Sequence, residues 1–532
     1  MAAPSPPIAA PGARPAGPER PAPALAPPAA APAAPGPGDV APGAAADDDA
    51  GAAPPPAARG AGGRAEALIE SGAGGGAGAL VERLLARLAA PTDAAALAAF
   101  RAVFGLVLCV SLVRFLAFGW VDELILRPRF LFKYWFFPWA EPLARGPMHA
   151  LFWGLAALSL CVAAGLFYRA SVVLLLVGFA YVQLLDVTNY LNHYYLVTLL
   201  LALCALMPLG RAYSADARLF ARRGLSHFPA WCTYLLRFQV GVVYFYAGLA
   251  KANADWLLSA QPLNLWLSGR THLPLVGPLL GQVWVAYAMS WAGFLFDTSV
   301  PFLLSWRTSR PFAYAVVIVF HAATQALFPI GMFPTIMVTS ALVFFPPDWP
   351  RRLFGRRARP APPPPAAPRA PGPAARAALA AGLLWCAFQA AMPLRSHLYG
   401  GNVLWHEQGM RFAWRVMLRE KNGSITYRVD DPRSGREWVV SPHEYLTQRQ
   451  ERDFSGQPDL ILQLGHRIAR DFRERGYPDV RVRVEALVSL NGRKPALLFD
   501  PEVDLTKVRD GLGRADYLLP APASPPGHVR RL

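Results

Sequence analysis

Cysteine is scarce in this chain, with five in 532 residues. Cys109, Cys161, Cys204, Cys232 and Cys386 all lie in apolar runs, and none has CxxC or zinc-ligand spacing. That excludes a disulfide framework and argues against a cysteine metal site, so they read as small core residues and no metal is predicted. Charge is also scarce, at 16% of residues against 54% hydrophobic. Acidic residues are the rarer sign, 35 against 52 Lys plus Arg, for a net charge of +17. This balance suits a nucleic-acid binder only until the arginines are placed. Many sit in short loops between apolar runs, where positive charge orients a membrane protein. The predicted partner is therefore membrane lipid, not nucleic acid. No charged n-region followed by an apolar run is present, so no signal peptide is read.

What is present is apolar length. Nine segments read as membrane spans, at about 97–119, 148–167, 170–188, 193–208, 230–250, 281–304, 311–327, 331–346 and 374–392. Arg211, Arg218, Arg222 and Arg223, then Arg307 and Arg310, then Arg351, Arg352, Arg356, Arg357 and Arg359 fall in three loops that nine spans place on one face. That face is predicted to be cytoplasmic, with the N-terminus. Residues 1–75 are Pro/Ala-rich and predicted to be disordered; Leu80, Leu84, Leu85 and Leu88 suggest a surface helix after them. The membrane domain is set at 76–393, an extracytoplasmic domain at 394–515 and a flexible tail at 516–532. Phe412–Leu418, Ile425–Val429 and Val480–Leu490 alternate like strands, Asn491-Gly492 reads as a hairpin turn, and Ile461, Leu464, Ile468 and Phe472 mark an amphipathic helix. The fold class is thus a polytopic α-helical membrane protein with a C-terminal α+β domain rich in antiparallel strands.

The stretch Tyr244–Trp256 closes one apolar run. Arg237, Gly241, Tyr244, Gly248 and Lys251 recur at helical spacing along one stripe. The lysine reads either as a snorkelling amine at the membrane boundary or as a desolvated base, and Arg237 beside it would favour the second. The glycines allow close approach of a helix or flat ligand. Asn192 and His193 can hydrogen-bond a carbonyl or phenolate. Asp297 is expected to pair with Arg237. His321 and Gln325, four apart, either line the same cavity or bond a neighbouring helix. The aromatic loop Phe130–Trp139 reads as an interfacial belt or a lid. Together these residues describe a lipid-soluble redox site or a transport path.

Four stretches in register carry a resemblance: TNYLNHYYL at Thr188–Leu196, LRFQVGVVYFYAGLAKANADW at Leu236–Trp256, FHAATQALFPIGMF at Phe320–Phe333, and SLNGRKPALLFDPEVD at Ser489–Asp504. From about Thr92 to Leu505 the chain resembles the vitamin K-dependent γ-glutamyl carboxylases and their bacterial relatives. The resemblance implies that an unprotonated lysine, here Lys251, deprotonates vitamin K hydroquinone (or, in a bacterium, menaquinol), assisted by His193. Oxygen then converts the quinone to its epoxide, a γ-proton leaves a glutamate of a protein or peptide, and carbon dioxide traps the carbanion. Asn192, Arg237, Tyr244, His321, Gln325 and Met332 become candidate cofactor-lining residues, and Trp414 and Met417 candidate substrate-binding ones. The chain departs from the family where vertebrate members read close to YSWDMMVH: the acid and histidine are Arg415 and Arg419 here. A quinol epoxidase or oxidase without carboxylation is one alternative. A transporter is another, although the inverted repeat it would favour is not found. The implied location is a bacterial inner membrane.

Overall fold

The structure, a computed structural model, describes residues 77–220, 224–354 and 372–529. The disorder expected over 1–75, and most of the 360–373 linker, lie outside the described residues. Helices occupy every one of the nine segments expected as spans: α1 (Ala95–Ala117), α2 (Arg145–Ala164), α3 (Tyr168–Leu184), α4 (Asn192–Leu206), α5 (Ala230–Lys251), α6 (Val283–Ser305), α7 (Arg310–Leu327), α8 (Phe333–Ala341) and α9 (Pro373–Ala391). Their ends follow local chemistry. α7, α8 and α9 carry proline in the first turn, where its missing N–H costs nothing. α2 stops at Gly165, whose φ of 69° suits glycine and whose missing Cβ leaves room for the buried Arg101. Asp186 accepts the Thr188 N–H at 2.9 Å and closes the turn between α3 and α4.

Among the described residues three helices are long and apolar enough to cross a membrane: Ala95–Ala117, Arg145–Ala164 and Arg376–Leu398, the last being α9 with the turn that follows it. The chain is therefore helical and membrane-type with a strand-rich C-terminal region, and its helices alone do not count nine crossings. Phe100, Phe104, Phe152, Leu200, Leu236 and Val240 are among the fully buried side chains of the helical core. A short antiparallel ribbon, β1 (Pro91–Asp93) with β2 (His227–Pro229), ties the start of α1 to the start of α5.

The most consequential helix contact is α5 against α6. A Cβ on Gly248 would lie 2.6 Å from both the Thr298 backbone nitrogen and its Cγ2. Only glycine lets the two backbones meet there. Gly241 has no such role, since its nearest neighbour, Pro301 Cβ, is at an ordinary 3.6 Å.

The C-terminal domain is a four-stranded antiparallel sheet of order β4-β3-β5-β6, with β3 Lys421–Asp431, β4 Arg436–Val440, β5 Arg481–Leu490 and β6 Ala496–Leu497. In β5, Val482, Val484, Ala486, Val488 and Leu490 are buried in strict alternation, as expected. Helix α10 (Pro458–Glu474) covers the sheet with Leu460, Ile461, Leu464, Ile468 and Phe472. Asn491 and Gly492 have φ of 52° and 81° and turn the chain after β5.

One strand expectation is corrected. Residues 412–418 form turns and irregular backbone, not a strand. Phe412, Trp414 and Met417 have φ of 61°, 56° and 52°, which no strand accommodates. The alternation there reflects tertiary packing: Trp414 is fully buried and stacks on Tyr195 at 4.9 Å.

Several seams join this domain to the helices. Asp255, on the short helix after α5, receives both Arg493 Nη atoms at 2.6 Å and Asn491 Nδ2 at 2.8 Å. The aromatic loop does not line the candidate cavity described below. Instead Lys133 exchanges two 3.0 Å backbone bonds with Gln463, and Phe132 is buried against Phe454. The last segment, expected to be a flexible tail, returns to the membrane domain: Val529 N–H donates to Asn264 Oδ1 and His528 Nε2 lies 2.8 Å from the Ser259 carbonyl.

Candidate active site

Lys251 is the last residue of α5 and is only 5% exposed. Its Nζ lies 2.7 Å from Asp297 Oδ2 and donates to the Ala247 carbonyl at 3.1 Å. The ammonium also sits 5.3 Å from the Trp256 ring, a cation–π distance. Asn253 caps the next short helix by accepting the Trp256 N–H, and the indole then donates to the Ser290 carbonyl at 2.8 Å. Ser290, Gly293 and Asp297 thus form one stripe of α6 facing Trp256 and Lys251.

These groups form the polar end of a narrow cavity of about 90 Å³. Its walls include Trp266, Phe320, Phe328, Phe333, Met289 and Met417. On the far side Tyr244 OH and His321 Nε2 are 3.0 Å apart, both fully buried. His321 Nδ1 is also buried and has no hydrogen-bond partner, so a bound hydroxyl or carbonyl would satisfy it. The residues fit a flat apolar ring with a polar edge. A fused ring system is larger than this space, and the methionines are the side chains best able to yield. Among the described residues no three His, Cys, Asp or Glu side chains converge as a metal would require.

A second, more open space of about 240 Å³ adjoins this cavity and shares Met417 with it. Arg411, Arg415, Arg419, Glu407, Tyr190 and Asn192 line it. Arg411 is paired with Asp459, and Arg419 with Glu407 at 3.0 Å. Arg415 donates to Ser396 Oγ at 2.9 Å, and its buried Nε has no partner. The groove therefore carries unspent positive charge. A larger pocket of about 500 Å³ lies near Phe167 and Arg211, but its Asp216 already caps the Phe167 and Tyr168 N–H groups.

The sequence-derived candidates separate on this geometry. Lys251, Tyr244 and His321 share the cavity, with Met417 at its edge. Arg237 does not belong with them: it lies fourteen residues earlier, roughly 21 Å along the helix. It donates to the Val343, Phe344 and Phe345 carbonyls, satisfying the end of a short helical segment. The expected Arg237–Asp297 pair is thereby corrected, because Asp297 pairs with Lys251. Gln325 is exposed, and Thr324 takes the cavity position. Met332 packs on the helical core, while its neighbour Phe333 lines the cavity. His193 is buried outside the cavity lining, its ring 5.9 Å from that of Phe333, which lies 5.8 Å from His321. Asn192 lines the groove and accepts from Tyr190 OH at 3.1 Å. Trp414 is fully buried and lines neither space. Sequence reasoning missed the Asp255–Arg493 seam, although both lie in quoted motifs, and missed Thr324 by a single position.

Comparison with known families finds two matches. Residues 89–349 match the HTTM domain. Residues 374–524 match the lumenal domain of vitamin K-dependent gamma-carboxylase. The two meet at the linker before α9, and between them they contain the cavity, the groove and the seam. No solved structure matches the chain.

Proposed function

The chain belongs to the vitamin K-dependent γ-glutamyl carboxylase family, and on that footing we propose that it is a membrane enzyme coupling hydroquinone epoxidation to glutamate carboxylation. The observation that carries the reading is a buried lysine at the polar end of an aromatic-walled cavity that shares Met417 with an arginine-lined groove. Vitamin K hydroquinone, or menaquinol, would supply the oxidisable ring whose reaction with oxygen yields the strong base that glutamate deprotonation needs.

The residues divide the remaining work. Lys251 accepts the ring hydroxyl's proton. Tyr244 and His321 hold a polar edge opposite it. Trp266, Phe320, Phe328 and Phe333 exclude water, which protects a reactive base from quenching. Arg415 offers the groove an unused guanidinium edge for a substrate carboxylate, so that a glutamate-containing protein or peptide approaches past Met417. Carbon dioxide then adds to the carbanion. We read the nine helices as nine crossings of a bacterial inner membrane, with the N-terminus cytoplasmic and the sheet domain extracytoplasmic.

One observation favours a second reading, quinol oxidation without carboxylation: Arg415 and Arg419 stand where the family pattern has an acid and a histidine. The experiment separates the two. Purified protein in nanodiscs receives reduced vitamin K or menaquinol, oxygen, labelled bicarbonate and a glutamate peptide, with Lys251→Ala in parallel. Epoxide and fixed label, both lost in the variant by about 10³-fold or more, support carboxylation. Epoxide without label supports the second reading. Neither product from folded, quinol-binding protein overturns both.

A further inference from the structure

We infer that Asp297 is the resident proton acceptor of the site, taking the proton that Lys251 releases as it removes one from a bound hydroxyl. This rests on the function proposed above and assigns a role to a residue outside the four stretches that carry the resemblance.

The geometry raises the question directly. Lys251 and Asp297 touch at 2.7 Å with side chains only 6% and 9% exposed. In so short and dry a pair the proton between the two groups occupies the amine's lone pair, so it must pass to Asp297 before Lys251 can act as a base. The elements packed around the pair bring other polar side chains near it. α5 itself supplies Tyr244, and α7 supplies His321 and Thr324. Tyr244 OH and His321 Nε2 are bonded to each other, and with Tyr244 as the donor the imidazole proton sits on Nδ1, which then donates and does not accept. The short helix after α5 supplies Trp256 and Asp255, and Asp255 is held by Arg493 and Asn491. Among the described residues, Asp297 is the carboxylate in contact with Lys251.

The step balances within the cavity. The hydroxyl O–H of the ligand breaks and an N–H forms on Lys251, while a lysine N–H breaks and an O–H forms on Asp297. The ligand keeps the electron pair as an oxyanion facing an unchanged ammonium. One cation and one anion are present before and after, so no net charge is created in a narrow apolar space. A neutral lysine acting alone would instead leave the Asp297 carboxylate buried and unpaired, a far costlier starting state. Gly248 is what brings the two helices close enough for the pair to form.

The test compares wild-type protein with Asp297→Asn and Asp297→Glu in nanodiscs. The first readout needs no turnover: mass spectrometry follows modification of Lys251 by a membrane-permeant amine reagent across pH 7–10. Breaking the 2.7 Å contact frees the amine for attack, so Asp297→Asn should label at least about tenfold faster at pH 8 than wild type. The second is quinol oxidation. Despite the freer amine, Asp297→Asn should oxidise quinol about 100-fold more slowly, and Asp297→Glu should restore a substantial part. The residual rate in Asp297→Asn should climb with pH, while the wild-type rate stays level from pH 7 to 9. Fast labelling with undiminished turnover in Asp297→Asn overturns the inference, because the lysine then works alone. So does unchanged labelling, or an equal loss in both variants with a wild-type pH profile, which marks a structural contact. Absence of turnover in wild-type protein overturns the proposed function as well, a result distinct from each of these.

Discussion

The cavity and the groove share Met417 and differ in almost everything else. The cavity is narrow and aromatic, and its single ion pair is charge-balanced. The groove is wider and its lining includes three arginines against one glutamate. A narrow, balanced space suits proton transfer, where any spare charge is expensive. An open, cationic space suits capture of an anion, where spare charge attracts. Chemistry and substrate capture are therefore expected to fail separately.

The sharpest way to break that separation is Gly248→Ala. Its Cβ must displace the Thr298 backbone, which moves Lys251 relative to Asp297. Quinol oxidation is expected to fall about 100-fold, with peptide binding unchanged by direct titration. Equal loss of both would mean that the two spaces are one site.

Arg493→Met strands Asp255 as a buried carboxylate at the joint between the domains. Breaking a buried pair in this way costs about 3–5 kcal/mol, and thermal unfolding in detergent should fall accordingly. Asp255→Asn combined with Arg493→Met should recover part of the loss, since neither charge is then left alone.

Arg415→Gln addresses the groove alone. The KM for an acidic peptide is expected to rise about tenfold, with peptide-independent quinol oxidation unchanged and the salt dependence of KM reduced. A matching loss in quinol oxidation would refute the division.

The last effect concerns pH. Burial pushes Lys421 down to about 8, against an opposing pull from Glu407 at 3.0 Å. Between that value and the ordinary lysine range the unfolded chain binds more protons than the folded one. Stability therefore rises with pH from about 8 towards 10. Thermal unfolding of Lys421→Met should lack that rise.

The fold was largely legible because its signals are local. Apolar runs gave nine helices, strict alternation gave β5, and Asn491-Gly492 gave the turn. At residues 412–418 the same alternation misled, because left-handed backbone at Phe412, Trp414 and Met417 is set by packing against Tyr195 and its neighbours. The site was legible by half. Lys251, Tyr244 and His321 could be gathered from spacing on two helices. The sequence misplaced Gln325 and Met332 by a single position each, since whether a residue lines a cavity depends on about 100° of rotation.

What the sequence determined by itself was an α-helical membrane-type chain with a strand-rich C-terminal domain, its family, and the lysine at the centre of the candidate site. Those follow from periodicity and motif, which are properties of neighbouring residues. Tertiary structure alone decided the partners: Asp297 for Lys251 instead of Arg237, Arg493 for Asp255, and a cationic groove beside the cavity. These residues are tens to hundreds of positions apart, and nothing in their local sequence records which charges the packed helices bring within 3 Å of one another.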